Sequence, residues 1–345
     1  MQKKCRVFLG GYVNIINAQN INCRSIAKYL NSKEFDVAMM QAQNGELDVI
    51  KNIKIFECKW PHRLNKFLTY TKAIFWADVV YLPKGEIFWW TNILLKILKK
   101  SSFCTSEAVE SSSNLEKSIK YFGSYENFKK HYNSFNKLCA ISSFIAKENY
   151  RLHQFKFEKS ILPLGVETNL FTKRKKEKLN SAIIIANNLF YKGWDIYLKL
   201  AKKFPSISFH VVGSGNKIHN LKEDCKDLNN VIFHGTLNHI ELDLLFEKID
   251  LHILPSRSEG FPKVILECAS AGVPSLVFSD YGANNWLKAG FVVNTIKEME
   301  NKISYLINNP EKLSVESQKS ITFSQEYDWK KIIKKWELII KSLLK

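Results

Sequence analysis

Short apolar runs and amphipathic stretches alternate along the chain. Arg6–Leu9, Asp36–Met40, Asp78–Leu82, Ser102–Thr105 and Leu138–Ser142 are strand-like, and Cys23–Leu30 and Trp60–Trp76 between them carry apolar residues at helical spacing. Ser160–Pro163 adds a short, mainly apolar run. Such alternation predicts parallel β-α-β units in an open, doubly wound sheet. The polar, mostly basic run Lys173–Asn180 then reads as an exposed linker. A second alternation follows, with strands at Ser181–Ala186, Ile207–Val212, Val231–Phe233, Leu251–Leu254 and Pro274–Phe278. Its helices are Trp194–Lys203, His219–Asp227 and Ile240–Lys248. The tail places apolar residues at Ile332, Ile333, Trp336, Ile339, Ile340, Leu343 and Leu344, the spacing of a packed final helix with a basic opposite face. The expected fold is α/β: two doubly wound, Rossmann-like domains facing across a cleft, with a C-terminal helix packing back. The expected boundaries are 1–170, a linker at 171–180, a second domain at 181–322, and the helix at 323–345.

Composition narrows the class. A chain of 345 residues with 46% hydrophobic and 13% aromatic content is long and apolar enough to fill two cores. No apolar run approaches the ~18–20 residues that span a bilayer. The opening Met1–Gly11 reads as a short strand entering a glycine turn rather than as a signal peptide, so a cytoplasmic protein is expected. Seven scattered cysteines, never in a Cys-x-x-Cys pair, predict reduced, mostly buried thiols rather than a disulfide framework or a thiolate metal site. The surplus of 51 Lys+Arg over 33 Asp+Glu, a net +18, fits a polyanionic partner. It fits equally a solvated surface in a chain rich in Lys, Asn and Ile.

The segment Pro255–Glu267 carries the most chemical information. An apolar strand leads into a turn loosened by Gly260, and Pro262 suits the first position of a helix because its missing N–H would be unpaired there. A helix start of this kind directs free amides and partial positive charge toward a phosphate. Glu259 in the turn and Glu267 within the helix would reach opposite ends of an elongated ligand such as a nucleotide sugar. Alone, the segment also fits a buried strand–helix unit whose glutamates are merely solvated. Lys192-Gly193 lies between a strand and a helix, at the sheet edge where α/β proteins bind ligands. Gly213-Ser214-Gly215 lacks the third glycine of a dinucleotide fingerprint, Ile218 standing in its place. With no His-Glu-x-x-His, Asp-x-Asp or P-loop lysine, neither metal nor cofactor is expected.

Several segments together resemble the retaining glycosyltransferases of family 4, the glycosyltransferase group 1 superfamily with the two-domain GT-B fold. They are Gly10-Gly11, Pro163–Glu167, Lys192–Asp195, His210–Gly215, Ile232–Gly235 and Leu254–Pro274. The match in order and spacing covers roughly residues 160–290. The resemblance implies an N-terminal acceptor-binding domain and a C-terminal donor-binding domain. Glu259 would contact the transferred sugar, with the Gly260 and Phe261 amides nearby, and Glu267 would hold the ribose hydroxyls. Lys192 would bind the diphosphate, Gly11 would let the phosphates approach closely, and Gly235–Leu237 would lie by the nucleobase. Asn187 occupies the position where the family commonly has Arg, which shifts leaving-group charge onto Lys192. Glu107, after Phe103–Ser106, stands where an acceptor-side histidine is usual and is the tentative acceptor-side catalytic residue.

The implied reaction moves a sugar from a nucleoside diphosphate to a hydroxyl of a glycan or lipid-linked acceptor, with retention of configuration and without metal. Cell-surface polysaccharide or lipopolysaccharide synthesis is the expected setting. A sugar-nucleotide epimerase of the same fold is the alternative, and a basic nucleic-acid-binding protein a less favoured one that no nucleic-acid motif supports. Ile87–Lys100, with two tryptophans and a basic end, reads either as a helix lying in an anionic membrane interface or as a buried crossover helix.

Overall fold

The computed structural model describes residues 3–43, 50–59, 62–213 and 218–344. The chain forms two compact units, residues 1–164 with 329–345, and residues 165–328. The first unit runs β1 (Cys5–Tyr12), α1 (Ala18–Tyr29), β2 (Phe35–Ala42), β3 (Ile53–Cys58), α2 (His62–Trp76), β4 (Val79–Tyr81) and α3 (Trp89–Ile97). It continues with β5 (Ser101–Ser106), α4 (Ser112–Phe122), α5 (Tyr125–Tyr132), β6 (Lys137–Ala140) and α6 (Ser143–His153). The sheet order is β3-β2-β1-β4-β5-β6, with every neighbouring pair parallel. The direction of winding reverses between β1 and β4, which opens a crevice at their carboxyl ends. Polar residues start the helices: Asn17 accepts from the Asn20 amide and Ser142 from the Ile145 amide. Gly123, at φ 84°, ends α4.

The second unit repeats the plan with β7 (Ser181–Ile185), α7 (Trp194–Lys203), β8 (Ser208–Val212), α8 (Ile218–Glu223), β9 (Val231–Gly235) and α9 (His239–Phe246). Then come β10 (Leu251–Leu254), α10 (Lys263–Ser270), β11 (Ser275–Phe278), α11 (Ala283–Trp286), β12 (Phe291–Val293), α12 (Ile296–Asn308) and α13 (Pro310–Ser324). Its parallel sheet has the order β12-β11-β10-β7-β8-β9, reversing between β7 and β10. Strand side chains alternate between two cores. Ala182, Ile184, Phe209 and Val211 join one, while Ile183 and Val212 join the other with Phe246 and Cys268.

The chain ends in α14 (Trp329–Ser342), which belongs to the first unit. Fully buried Trp336 sets its ring edge against Tyr81 at 5.3 Å and donates Nε1–H to the Pro163 carbonyl at 3.2 Å. This is the packed final helix predicted from the apolar spacing. All seven cysteines are buried and none forms a disulfide.

Three segments show local detail that the sequence pattern does not carry. The basic run at 173–180 is mostly exposed, yet Leu179 is buried, and buried Lys176 donates to the Phe246 and Glu247 carbonyls at 2.6 and 3.2 Å. Its ammonium satisfies the open C-terminal end of α9. Ser160–Pro163 forms no strand, although the Leu162 amide reaches the Ala140 carbonyl at 2.9 Å. Ile87–Lys100 yields α3, a crossover between β4 and β5 that buries Leu95 yet leaves Trp89, Ile93 and Ile97 67%, 48% and 70% exposed. Trp60 and the Ser214-Gly215 pair lie outside the described residues. Among the described residues, no helix is long and apolar enough to cross a membrane.

Candidate functional site

In the second unit the winding reversal brings the loops after β7 and β10 side by side. The β7 loop closes in a short 3-10 turn, Phe190–Lys192, and Gly193 at φ 84° turns the chain into α7. A methyl at Gly193 would lie 2.3 Å from the Pro255 carbonyl oxygen, so only glycine lets the two loops approach this closely. On the other side, fully buried Ser256 donates to the Ser258 carbonyl at 3.1 Å and fixes the turn leading to Glu259.

The consequence is direct contact between two of the predicted site residues. Lys192 Nζ lies 2.6 Å from both Oε1 and Oε2 of Glu259. The Glu259 side chain is only 7% exposed, the Lys192 side chain 32%. A strongly shielded carboxylate is thus held by a cation that still reaches solvent, and charge-assisted bonds of this kind are short and strong.

Downstream, Pro262 occupies the N-cap of α10, one position earlier than expected, and no side chain caps the helix. Within its first turn the Ile265 amide bonds the Pro262 carbonyl at 3.1 Å, and the helix start carries partial positive charge. Phe261 is buried against Trp286 and Tyr327, with ring centroids 4.8 and 5.4 Å away, which pins the start of α10. Half-buried Glu267 lies one turn into the helix, and its carboxylate makes no hydrogen bond or ion pair among the described residues. Gly260 is likewise half-buried.

The same sheet edge is tightly laced at β8 and β9. Gly213 donates to the Gly235 carbonyl at 2.8 Å, and a methyl on Gly213 would meet the Ala186 carbonyl oxygen. Asn187, next to Ala186, is exposed at this edge, and Gly235 adopts φ 72°. One strand position before Gly235, His234 stacks on His210 with their ring nitrogens 2.8 Å apart. Burial and the neighbouring His234 lower His210 to about 4. Both rings stay neutral at physiological pH, so they contribute hydrogen bonding rather than charge.

Gly11 and Glu107 lie in the first unit. A Cβ on Gly11 would sit 2.7 Å from Cys23 Cβ and Sγ, so close packing of α1 on β1 accounts for this glycine. Glu107 follows β5 and accepts from Thr105 Oγ1 at 3.2 Å, while Thr105 also bonds the buried Tyr81 hydroxyl at 2.7 Å.

Two features of the site leave no sequence signal. Ser256 fixes the turn leading to Glu259 from inside, and Tyr281 buries a hydroxyl with no hydrogen-bond partner within reach of the Glu259 charge. An apolar-looking serine or tyrosine in a loop gives no pattern that would single it out. No cluster of three or more His, Cys, Asp or Glu among the described residues is arranged to hold a metal ion.

Residues 166–321, which lie within the second unit, match the family of glycosyl transferases group 1. An uncharacterized glycosyltransferase of Haemophilus influenzae is 34% identical over 206 residues, which cover 55% of this chain and 58% of that protein. The O-antigen biosynthesis glycosyltransferase WbnH of Escherichia coli is 33% identical over 88 residues, 26% of this chain and 25% of its own. The chain thus spans little more than half of the first relative and a quarter of the second. Among solved structures, Anabaena Alr3699/HepE in complex with UDP-glucose matches with a TM-score of 0.77 at 16% identity, covering 98% of this chain and 99% of that one. The two parallel, doubly wound sheets are those of the GT-B class.

Proposed function

We propose that the protein transfers a sugar from a nucleoside diphosphate sugar to an acceptor hydroxyl, with retention of configuration and without a metal ion. The observation that carries this reading is the Lys192–Glu259 pair at the winding reversal of the second sheet, beside the uncapped start of α10 and with Glu267 unpaired one turn further on. Crevices of this kind take ligands at the carboxyl ends of the strands. A donor diphosphate competes with Glu259 for Lys192 Nζ. The exchange leaves the Glu259 carboxylate free to accept hydrogen bonds from sugar hydroxyls, and Glu267 to do the same for the ribose. As the bond from the anomeric carbon to the diphosphate breaks, negative charge grows on the leaving group. Lys192 and the positive end of the α10 dipole meet that charge, and electrostatic stabilisation of this kind is usually the largest catalytic contribution. Asn187 adds no charge, so Lys192 bears the larger share.

Support for the donor class comes from the group 1 match and from the UDP-glucose complex of the fold relative. The O-antigen relative supports a cell-surface glycan as product, and a lipid-linked acceptor fits that setting. Association with an anionic membrane fits the exposed apolar stripe of α3 and its basic end.

A panel of nucleotide sugars in a thermal-shift assay identifies the donor, since a ligand at a hundredfold its Kd stabilises by about 2.7 kcal/mol. The labelled donor is then incubated with and without a membrane-extracted acceptor fraction. Transfer reports label in the acceptor. Interconversion of the sugar with no acceptor present would instead establish the epimerase.

A further inference from the structure

The first unit contains a groove that the proposed donor site does not use. It has a volume of about 660 Å³, within the usual range of ~300–1,000 Å³ for small-molecule sites, and runs between α3, the end of α4, and α5. Phe88, Trp89, Ile93 and Phe122 give it apolar walls, and Lys96 and Lys130 stand exposed at its rim. Its lining contains no carboxylate.

Two polar atoms in the lining are buried without a hydrogen-bond partner, Asn92 Oδ1 and His131 Nδ1. His131 is 9% exposed. The groove also adjoins the crevice of the first sheet. Tyr121 donates from one wall to the Gly85 carbonyl at 3.1 Å, and the Gly85 amide bonds Gln19 Oε1 at 3.1 Å, just past the β1 turn.

We infer that this groove binds one long-chain lipid phosphate, its hydrocarbon between Trp89, Ile93 and Phe122 and its anionic head against Lys96 and Lys130. The inference rests on the proposed transfer to a lipid-linked acceptor and names the part of the acceptor the first unit holds. Apolar walls alone would fit any hydrophobe. The lysine rim and the absence of acidic lining select an anionic amphiphile, and a defined groove selects a single molecule over a bilayer surface.

Isothermal titration of the full chain with farnesyl phosphate below its aggregation concentration tests this, alongside farnesol and inorganic phosphate. Saturable binding with one site per chain is expected. Ile93→Glu, at a half-exposed position the fold tolerates, weakens it at least tenfold. Lys96→Ala with Lys130→Ala weakens farnesyl phosphate at least tenfold and leaves farnesol unchanged. Binding insensitive to Ile93→Glu overturns the inference. So does adsorption to anionic vesicles with no saturable binding of the monomeric lipid, which would make α3 a bilayer contact. Nucleotide-sugar binding, measured on the same variants, belongs to the second unit. Its loss in wild-type protein would reject the transferase reading independently of the groove.

Discussion

Removing either partner of the Lys192–Glu259 pair should destabilise the second unit, but unequally. Lys192→Met leaves a carboxylate that is only 7% exposed without its two short bonds. Losing a hydrogen bond to a charged, shielded group costs about 1.5–3 kcal/mol. The 32% exposure of Lys192 means water reaches the pair, which keeps the loss below the roughly 3–5 kcal/mol typical of fully buried ion pairs. Glu259→Gln leaves a lysine that can turn to solvent and an amide that still accepts, so its cost stays under about 1 kcal/mol. For a unit of this size, each kcal/mol moves the melting midpoint by about 2–4 °C. Lys192→Met should therefore melt several degrees below Glu259→Gln in calorimetry at neutral pH and low salt. The double variant should recover much of the difference, because the unpaired charge is gone. Equal midpoints for the two single variants, or a double variant worse than their sum, would refute the reasoning.

Other outcomes follow from the same geometry. Gly193→Ala forces a left-handed alanine, costing about 1–2 kcal/mol before its methyl meets the Pro255 carbonyl; a thermal midpoint within a degree of wild type would show that the loops do not touch as described. Burial lowers His252 to about 3 and, with His234, lowers His210 to about 4. Both imidazoles bind fewer protons folded than unfolded, so their contribution is intact above about pH 6.5 and is lost on acidification at up to about 1.4 kcal/mol per pH unit each. A flat midpoint between roughly pH 6.5 and 5, above the carboxylate range, would contradict this. Transfer activity should survive EDTA; abolition by EDTA with rescue by magnesium or manganese would reject the metal-independent scheme.

The donor-side motif was legible because each of its parts leaves a local signal. β10 is a continuous apolar run, Gly260 and Pro262 mark the turn and the helix start, and two glutamates sit eight residues apart. What the sequence could not carry was the contact between loops 60 residues apart. The pattern places Lys192-Gly193 at the ligand edge of the sheet, but the close approach of Gly193 to Pro255 leaves no local signal. β3 went unread because only one face is sheltered, and Lys54 and Glu57 break its apolar pattern. β12 is only three residues long. The buried Lys176 misled through composition, since a basic run normally stays in water, whereas here one ammonium fills the open end of a helix. At Gly11 the close packing of Cys23 is by itself a physical reason for glycine.

The central claim concerns which residue meets which part of the donor, and isothermal titration with matched ligands tests it most directly. The donor identified by thermal shift, its bare nucleoside diphosphate and its nucleoside are titrated into wild type, Lys192→Met, Glu267→Ala and Glu259→Gln. The account predicts that Lys192→Met weakens both diphosphate ligands and spares the nucleoside. Glu267→Ala should weaken all three, and Glu259→Gln only the sugar-bearing donor. Wild-type affinities for all three ligands in all three variants would contradict the account.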